Sequence, residues 1–291
     1  MSERITVRAS DGRKLEVEHG ALEGTPLIFH FGTPCAGRLS DAMLEAGARR
    51  GLAHITYSRP GYCSSTRQPG RAVSDCAADV TAIADALGLE RFYVAGISGG
   101  GPHTLACAAL LADRVLAAAT IGAIAPQDAD GLYWTAGMGE ENIEEFGAME
   151  AGEEQLRAYL EAAAAGMVGA DGDRMREELG TLVAPADAQA LQGAYGDFTA
   201  LLLSDGVADG IWGWLDDDVA FEKPWGFELA AIDRPVTIWH GAQDMFVPVA
   251  HGEWLAARIP GARAVIETDH GHMSRLGLGY GAVLDDLLAS A

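Results

Sequence analysis

The five residues Gly96-Ile97-Ser98-Gly99-Gly100 constrain this chain more than any other segment. They join an apolar run at 91–97 to a helical run at 100–111, so the serine must stand in a sharp strand-to-helix turn. Such a turn tolerates only very small side chains two residues before and two residues after the serine, because larger ones collide across it. Gly96 and Gly100 occupy those places. The turn lifts the hydroxyl clear of a sheet, beside a helix N-terminus whose amides favour developing negative charge. The plain alternative is a glycine-rich helix start that happens to contain a serine. The apolar strand in front of it favours a nucleophile.

The surrounding segments alternate in the way a sheet with crossover helices requires. Residues 5–8 and 14–19 flank Asp11-Gly12, a hairpin turn signal. Short apolar strands are expected at 27–31, 53–58, 91–97 and 115–121, and helices at 40–50, 73–87 and 100–111. In the second of these helices Val73, Cys76, Ala77, Val80, Ile83, Ala84 and Leu87 form one stripe, and Gly88 ends it. Repeated strand–helix–strand units imply right-handed crossovers and an α/β fold with a mostly parallel central sheet flanked by helices. The rhythm stops after Pro126, where the text becomes helical, acidic and glycine-punctuated. It returns with strands at 236–241 and 262–268 and helices at 249–259 and 277–291. The expected organisation is a core of residues 1–126 and 231–291 with residues 127–230 inserted as a helical cap.

A serine hydroxyl is a poor nucleophile at neutral pH without a base and a group to orient that base. In an α/β core of this kind both should follow late strands, acid first and histidine second. The strand at 236–241 leads through a turn to Asp244, and the last strand leads to Asp269-His270-Gly271-His272. Either His270 or His272 could face Ser98; Gly271 favours His272 by letting the backbone turn inward. His240 and His103 read as structural, and His251, at the start of a helix, as exposed. Among the acids, Asp233 precedes its strand and so lies at the wrong end of the sheet. The run Asp216-Asp217-Asp218 reads as a solvated face. Asp244 is therefore the expected orienting acid. Acyl transfer also needs amide donors for the oxyanion. Gly99 should supply one and Thr33, in the loop Gly32-Thr33-Pro34, the other, although that loop taken alone is an ordinary Gly/Pro turn.

Bulk properties narrow the partners. A formal net charge of −22 leaves no positive surface for nucleic acid or anionic membranes, and favours neutral or cationic small molecules over polyanions. No apolar run is long enough to span a bilayer, and the charged start carries no secretory signal, so a cytoplasmic protein is expected. Cys35, Cys63, Cys76 and Cys107 have neither C-x-x-C nor zinc-ligand spacing and read as reduced thiols.

Taken together, Phe31-Gly32-Thr33-Pro34, Ser58-Arg59-Pro60-Gly61-Tyr62, Gly96-Ile97-Ser98-Gly99-Gly100, His240-Gly241-Ala242-Gln243-Asp244 and Gly271-His272 resemble the α/β-hydrolase superfamily, in particular its bacterial esterase-like branch with a helical cap. The resemblance spans nearly the whole chain. It implies a Ser98–His272–Asp244 triad, an oxyanion hole from the Thr33 and Gly99 amides, and hydrolysis of an ester or lactone without metal or organic cofactor. Two positions depart from the family pattern: Phe31 stands where histidine is usual, and Ser58 where aspartate is usual. Dehalogenases and epoxide hydrolases of this fold would be expected to carry aspartate at position 98. A proline-type aminopeptidase would show Gly-Gly-Pro in the oxyanion loop and a tryptophan after the nucleophile. A biosynthetic cyclase or lyase, or a small-molecule receptor, is the rival from another class.

Overall fold

Alternating side chains and a tight turn build the first hairpin. Strands β1 (Glu3–Arg8) and β2 (Lys14–His19) pair antiparallel, with Val7 opposite Leu15 and Ile5 opposite Val17. The computed structural model describes residues 2–290; Ala291, expected to end the closing helix, lies outside them. The remaining strands are β3 (Thr25–His30), β4 (Leu52–Ser58), β5 (Phe92–Ile97), β6 (Val115–Ile121), β7 (Val236–Gly241) and β8 (Arg263–Glu267). All eight form one sheet in the order β1-β2-β4-β3-β5-β6-β7-β8. β2 meets β4 antiparallel, and every pairing from β4 to β8 is parallel.

The core helices are α1 (Asp41–Ala48), α2 (Cys76–Ala86) and α3 (Gly100–Leu110). β4, β5 and β7 are buried along their whole length, as parallel strands covered on both faces should be. The period of two sorts their side chains. Ile28, Val94 and Ile238 join one apolar cluster with Val80 and Ile83 of α2 and Leu105 of α3. Leu27, Phe29, Tyr93, Ala95 and Ile97 join another on the opposite face, with Met43 of α1. β8, the edge strand, is the exception and stays largely exposed.

Between β6 and β7 the chain runs through α4 (Glu140–Ala151), α5 (Glu153–Met167), α6 (Gly172–Glu178), α7 (Pro185–Ala190), α8 (Ala194–Val207) and α9 (Trp212–Glu222). Their residues Phe146, Leu160, Leu203, Trp214 and Phe221 continue the cluster that holds Ile28 and Val94. After β7 come α10 (Val249–Ala256) and, following β8, α11 (Ser274–Ala289), which lays Val283 and Leu284 on the Phe29 face. No helix among the described residues is long and apolar enough to cross a membrane, and the four cysteines are free. The loops after β3, β5, β7 and β8 open at the carboxyl edge of the parallel strands, where ligands bind in open α/β sheets. They carry Thr33, Ser98, Asp244 and His272.

Candidate active site

Ser98 sits between β5 and α3 with φ of 56°, a left-handed conformation that is costly for any residue with a Cβ. The turn is held by the Ser98 amide donating to the Ile121 carbonyl at 2.9 Å and the Gly101 amide donating to the Ser98 carbonyl at 2.8 Å. Its two glycines are required by space. A Cβ on Gly96 would lie 2.4 Å from Thr104 Oγ1, and one on Gly100 would lie 2.1 Å from the His30 carbonyl oxygen.

The base and acid expected from the late strands meet. His272 Nδ1 and Asp244 Oδ2 are 2.7 Å apart, both residues buried. Asp244 Oδ1 accepts the Phe246 and Val247 amides at 2.9 and 2.7 Å, which fixes the carboxylate. His240 is structural, with Nε2 2.7 Å from the Val247 carbonyl and 3.4 Å from Asp244 Oδ2. Burial pushes the Asp244 carboxyl up, but the charge of His272 and bonds to His240 and His272 outweigh it and hold it at about 2. For His272, burial favours the neutral ring, yet the charge and hydrogen bond of Asp244, with Asp187 adding, raise its pKa above the ordinary histidine value. Phe246 stacks on the imidazole with ring centroids 4.7 Å apart. His270 points elsewhere, with Nδ1 3.1 Å from Ser274 Oγ. With Nδ1 engaged, His272 presents Nε2 as its available nitrogen. Ser98 and His272 line the same cavity, with no direct hydrogen bond between their side chains among the described residues.

Thr33 and Gly99 also line this cavity and touch, since a Cβ on Gly99 would lie 2.5 Å from Thr33 Oγ1. The support beneath this loop differs from the sequence expectation. Asp217, expected on a solvated face, is fully buried, and so are Asp216 and Asp218. Asp217 Oδ2 accepts the hydroxyls of Thr33 at 2.8 Å and Tyr62 at 2.7 Å, and its carboxylate pairs with Arg59 and Arg71 at 2.6 Å each. Burial opposes its charge, and the two guanidinium groups outweigh burial, so Asp217 stays far below the usual carboxylate range. Arg59 in turn donates to the carbonyls of Phe31 at 2.5 Å and Gly32 at 2.9 Å. The Phe31 ring packs edge-on against Phe29 and Phe198. At the second departure, Ser58 Oγ accepts the Gly37 amide at 3.1 Å and donates to Glu16 Oε1 at 3.4 Å, so the neighbouring strand β2 supplies a carboxylate. The signal for a buried Asp217 was legible nearby: Trp212, Trp214, Leu215, Val219 and Phe221 surround the acidic run, and a helix apolar on every side is an interior helix.

Two further histidines are buried in structural roles. His251 is buried rather than exposed; its Nδ1 accepts the Ala125 amide at 3.1 Å, and its Nε2 lies 2.8 Å from the Trp134 carbonyl. His103 Nδ1 bonds the Gly99 carbonyl at 2.8 Å, the packing role expected of it. Burial, the largest influence, holds His103 neutral with a pKa of about 3.

Sequence reasoning missed Asp187 altogether. Its carboxylate accepts the backbone amides of His272 at 2.8 Å and of Met273 and Ser274 at 2.9 Å, at the N-terminus of α11. Gly271 is needed for this approach, since a Cβ there would lie 2.3 Å from Asp187 Oδ2. No local pattern marks Asp187, because its partners lie on a segment far along the chain. An Asp187→Ala variant leaves three buried amides without their charged acceptor. It should lower the unfolding free energy by about 3 kcal/mol in urea denaturation; unchanged stability would contradict this contact.

The cavity above these residues measures about 150 Å³, with Phe146, Trp214, Phe221 and Phe246 among its walls, and is closed by residues of both the core and the insert. The comparisons agree with the architecture. The family described as the alpha/beta hydrolase fold matches residues 25–276. A non-heme chloroperoxidase of Streptomyces lividans is 26% identical over 249 residues, 84% of each chain. A pimeloyl-[acyl-carrier protein] methyl ester esterase of Aromatoleum aromaticum is 44% identical over only 51 residues, 18% of this chain and 20% of that one. The chain thus matches about a fifth of the length of that esterase. A solved esterase from Rhodococcus sp. ECU1013 superposes with a TM-score of 0.68 at 20% identity, covering 99% of this chain and 98% of that one. With a match over most of its length and the sheet order to go with it, the chain belongs to the α/β-hydrolase fold family.

Proposed function

We propose that the protein is a serine hydrolase that cleaves a carboxylic ester or lactone of a small, largely apolar molecule through an acyl-enzyme on Ser98. The observation that carries this reading is the 2.7 Å contact of His272 with Asp244 at the cavity that Ser98 enters from its strained turn. His272 Nε2 takes the Ser98 proton as Oγ attacks the carbonyl carbon, and Asp244 holds the tautomer and stabilises the imidazolium that forms. The Thr33 and Gly99 amides receive the negative charge on the carbonyl oxygen. The proton then passes to the leaving alcohol, and water activated by His272 releases the acid. No step calls for a metal or organic cofactor. In this reading residues 127–230 act as a helical cap over a core of 1–126 and 231–291, and the cap's contribution to the wall sets the size of the substrate.

Turnover of a p-nitrophenyl ester series of increasing acyl length tests the reading. Ser98→Ala should lower kcat/KM by at least about 10³-fold, and wild type should carry an acyl adduct by intact mass. Equal rates in the two proteins would contradict it. The pH profile follows from the His272 environment. Its pKa is raised and only the neutral ring can accept the serine proton, so activity is lost on acidification through that raised value. The rising limb of kcat/KM should therefore have its midpoint above about 6.5; a midpoint at or below it would contradict the Asp244 pairing.

A further inference from the structure

The wall of the cavity that Ser98 lines also carries a chemistry that ester cleavage does not use. Four carboxyl groups line it, Glu141, Glu145, Glu178 and Asp218, and among the described residues no lysine or arginine does. Two of them are buried: Glu145 on α4 and Asp218 on α9, 8% and 1% exposed. Glu145 Oε1 accepts the indole N–H of Trp214 at 2.7 Å, one helical turn before Asp218. Asp218 Oδ2, shut away from solvent, accepts no hydrogen bond from an N–H or hydroxyl group among the described residues, and its carboxyl lies in hydrogen-bonding contact with that of Glu145. Two acids buried against each other with no cation beside them cost free energy, and buried charges in native proteins are normally paired with an opposite charge. Asp217, the adjacent residue, shows the contrast, since Arg59 and Arg71 neutralise it.

Burial, with the repulsion and hydrogen bond of Glu145 adding, pushes the Asp218 carboxyl well up, and burial pushes Glu145 up against the hydrogen bonds from Trp214 and Asp218. Among the described residues no cationic side chain hydrogen-bonds to either carboxyl of this pair. Aromatic rings stand beside the carboxyls, Trp214 and Tyr159 among them, and aromatic faces with carboxylates are the surroundings that suit an ammonium ion. The pair lines the same cavity as Ser98. Phe221, one turn along α9 from Asp218, packs beside Gly99, where a Cβ would lie 3.0 Å from its ring.

We propose that Glu145 and Asp218 form a subsite for a protonated amine, so that the substrate is an ester or lactone carrying an aliphatic ammonium group a few bonds from the scissile carbonyl. This assignment of substrate class rests on the hydrolase reading, while the amine subsite itself stands on the cavity wall alone. The strong negative charge of the chain, −22, draws such a cation toward the protein.

Two measurements separate the subsite from the chemistry. Calorimetric titration of the wild-type protein with pentylammonium chloride and with 1-pentanol reads the subsite without catalysis. The ammonium should bind at one site at least about tenfold more tightly than the alcohol. Asp218→Asn and Glu145→Gln, each checked for a native thermal transition, should remove that preference. Hydrolysis of ethyl 6-aminohexanoate against ethyl heptanoate then reads the substrate class. The wild-type kcat/KM ratio should favour the amine by about tenfold or more, and the ratio should collapse toward one in either variant. Pentylammonium binding no tighter than pentanol in the wild type overturns the subsite, whatever the variants do. Ester turnover without preference for the amine overturns the substrate class while leaving the hydrolase reading intact. Selective ammonium binding with neither ester cleaved keeps the subsite and overturns the hydrolase reading.

Discussion

The structure depends on holding one serine in a conformation that serine avoids. A positive φ at a residue with a Cβ costs about 1–3 kcal/mol, and it persists only where the surroundings over-determine it. Here β5 delivers the chain into the sheet between β3 and β6, the helix α3 begins two residues later, and the two backbones close so tightly that only glycine fits at 96 and 100. The strain is local. The stability that offsets it comes from a central sheet whose strands β4, β5 and β7 are buried along their length. The same closure places the Ser98 hydroxyl at the strand edge where the loops after β3, β7 and β8 converge.

Around that serine the inserted helices act as more than a cover. Asp217 of α9 reaches the loop after β3 and binds Thr33, Tyr62, Arg59 and Arg71 at once, while Asp187 of α7 grips three consecutive amides from His272 to Ser274. One carboxylate thus ties α9 to the loop after β3, and another ties α7 to the start of α11. Buried ion pairs add little net stability, because desolvation consumes most of the attraction, but removing one partner strands a charge. These contacts therefore serve geometry above all: they make the position of Thr33 and of His272 depend on the insert being folded. The Phe31 and Ser58 departures fit this arrangement, with Arg59 and Glu16 supplying polar contacts there.

Much of the core was legible in the sequence because it follows from short-range rules. β2, β6 and β7 begin and end where the apolar periodicity places them, and the other core elements shift by only a few residues. Asp244 is expected from its place after a late strand, and it lies 2.7 Å from His272. His272 was separable from His270 only weakly by local reasoning, since two residues on one loop differ in direction and not in pattern. What escaped were the contacts made between distant segments. Asp217 was read as solvated because a run of three acids resembles a surface; its burial is set by Arg59 and Arg71, far earlier in the chain. Asp187 carried no signal at all. His251 was read as exposed from its place at a helix start, whereas the segment around Trp134 covers it.

The central claim is that Ser98 is an activated nucleophile, made so by His272 and Asp244. Labelling with a fluorophosphonate probe tests it most directly, because the probe reacts with an activated serine regardless of substrate. The account predicts one phosphonyl group per chain by intact mass, mapped to the peptide that holds Ser98. An unlabelled native protein, or a label on any other serine, would contradict it.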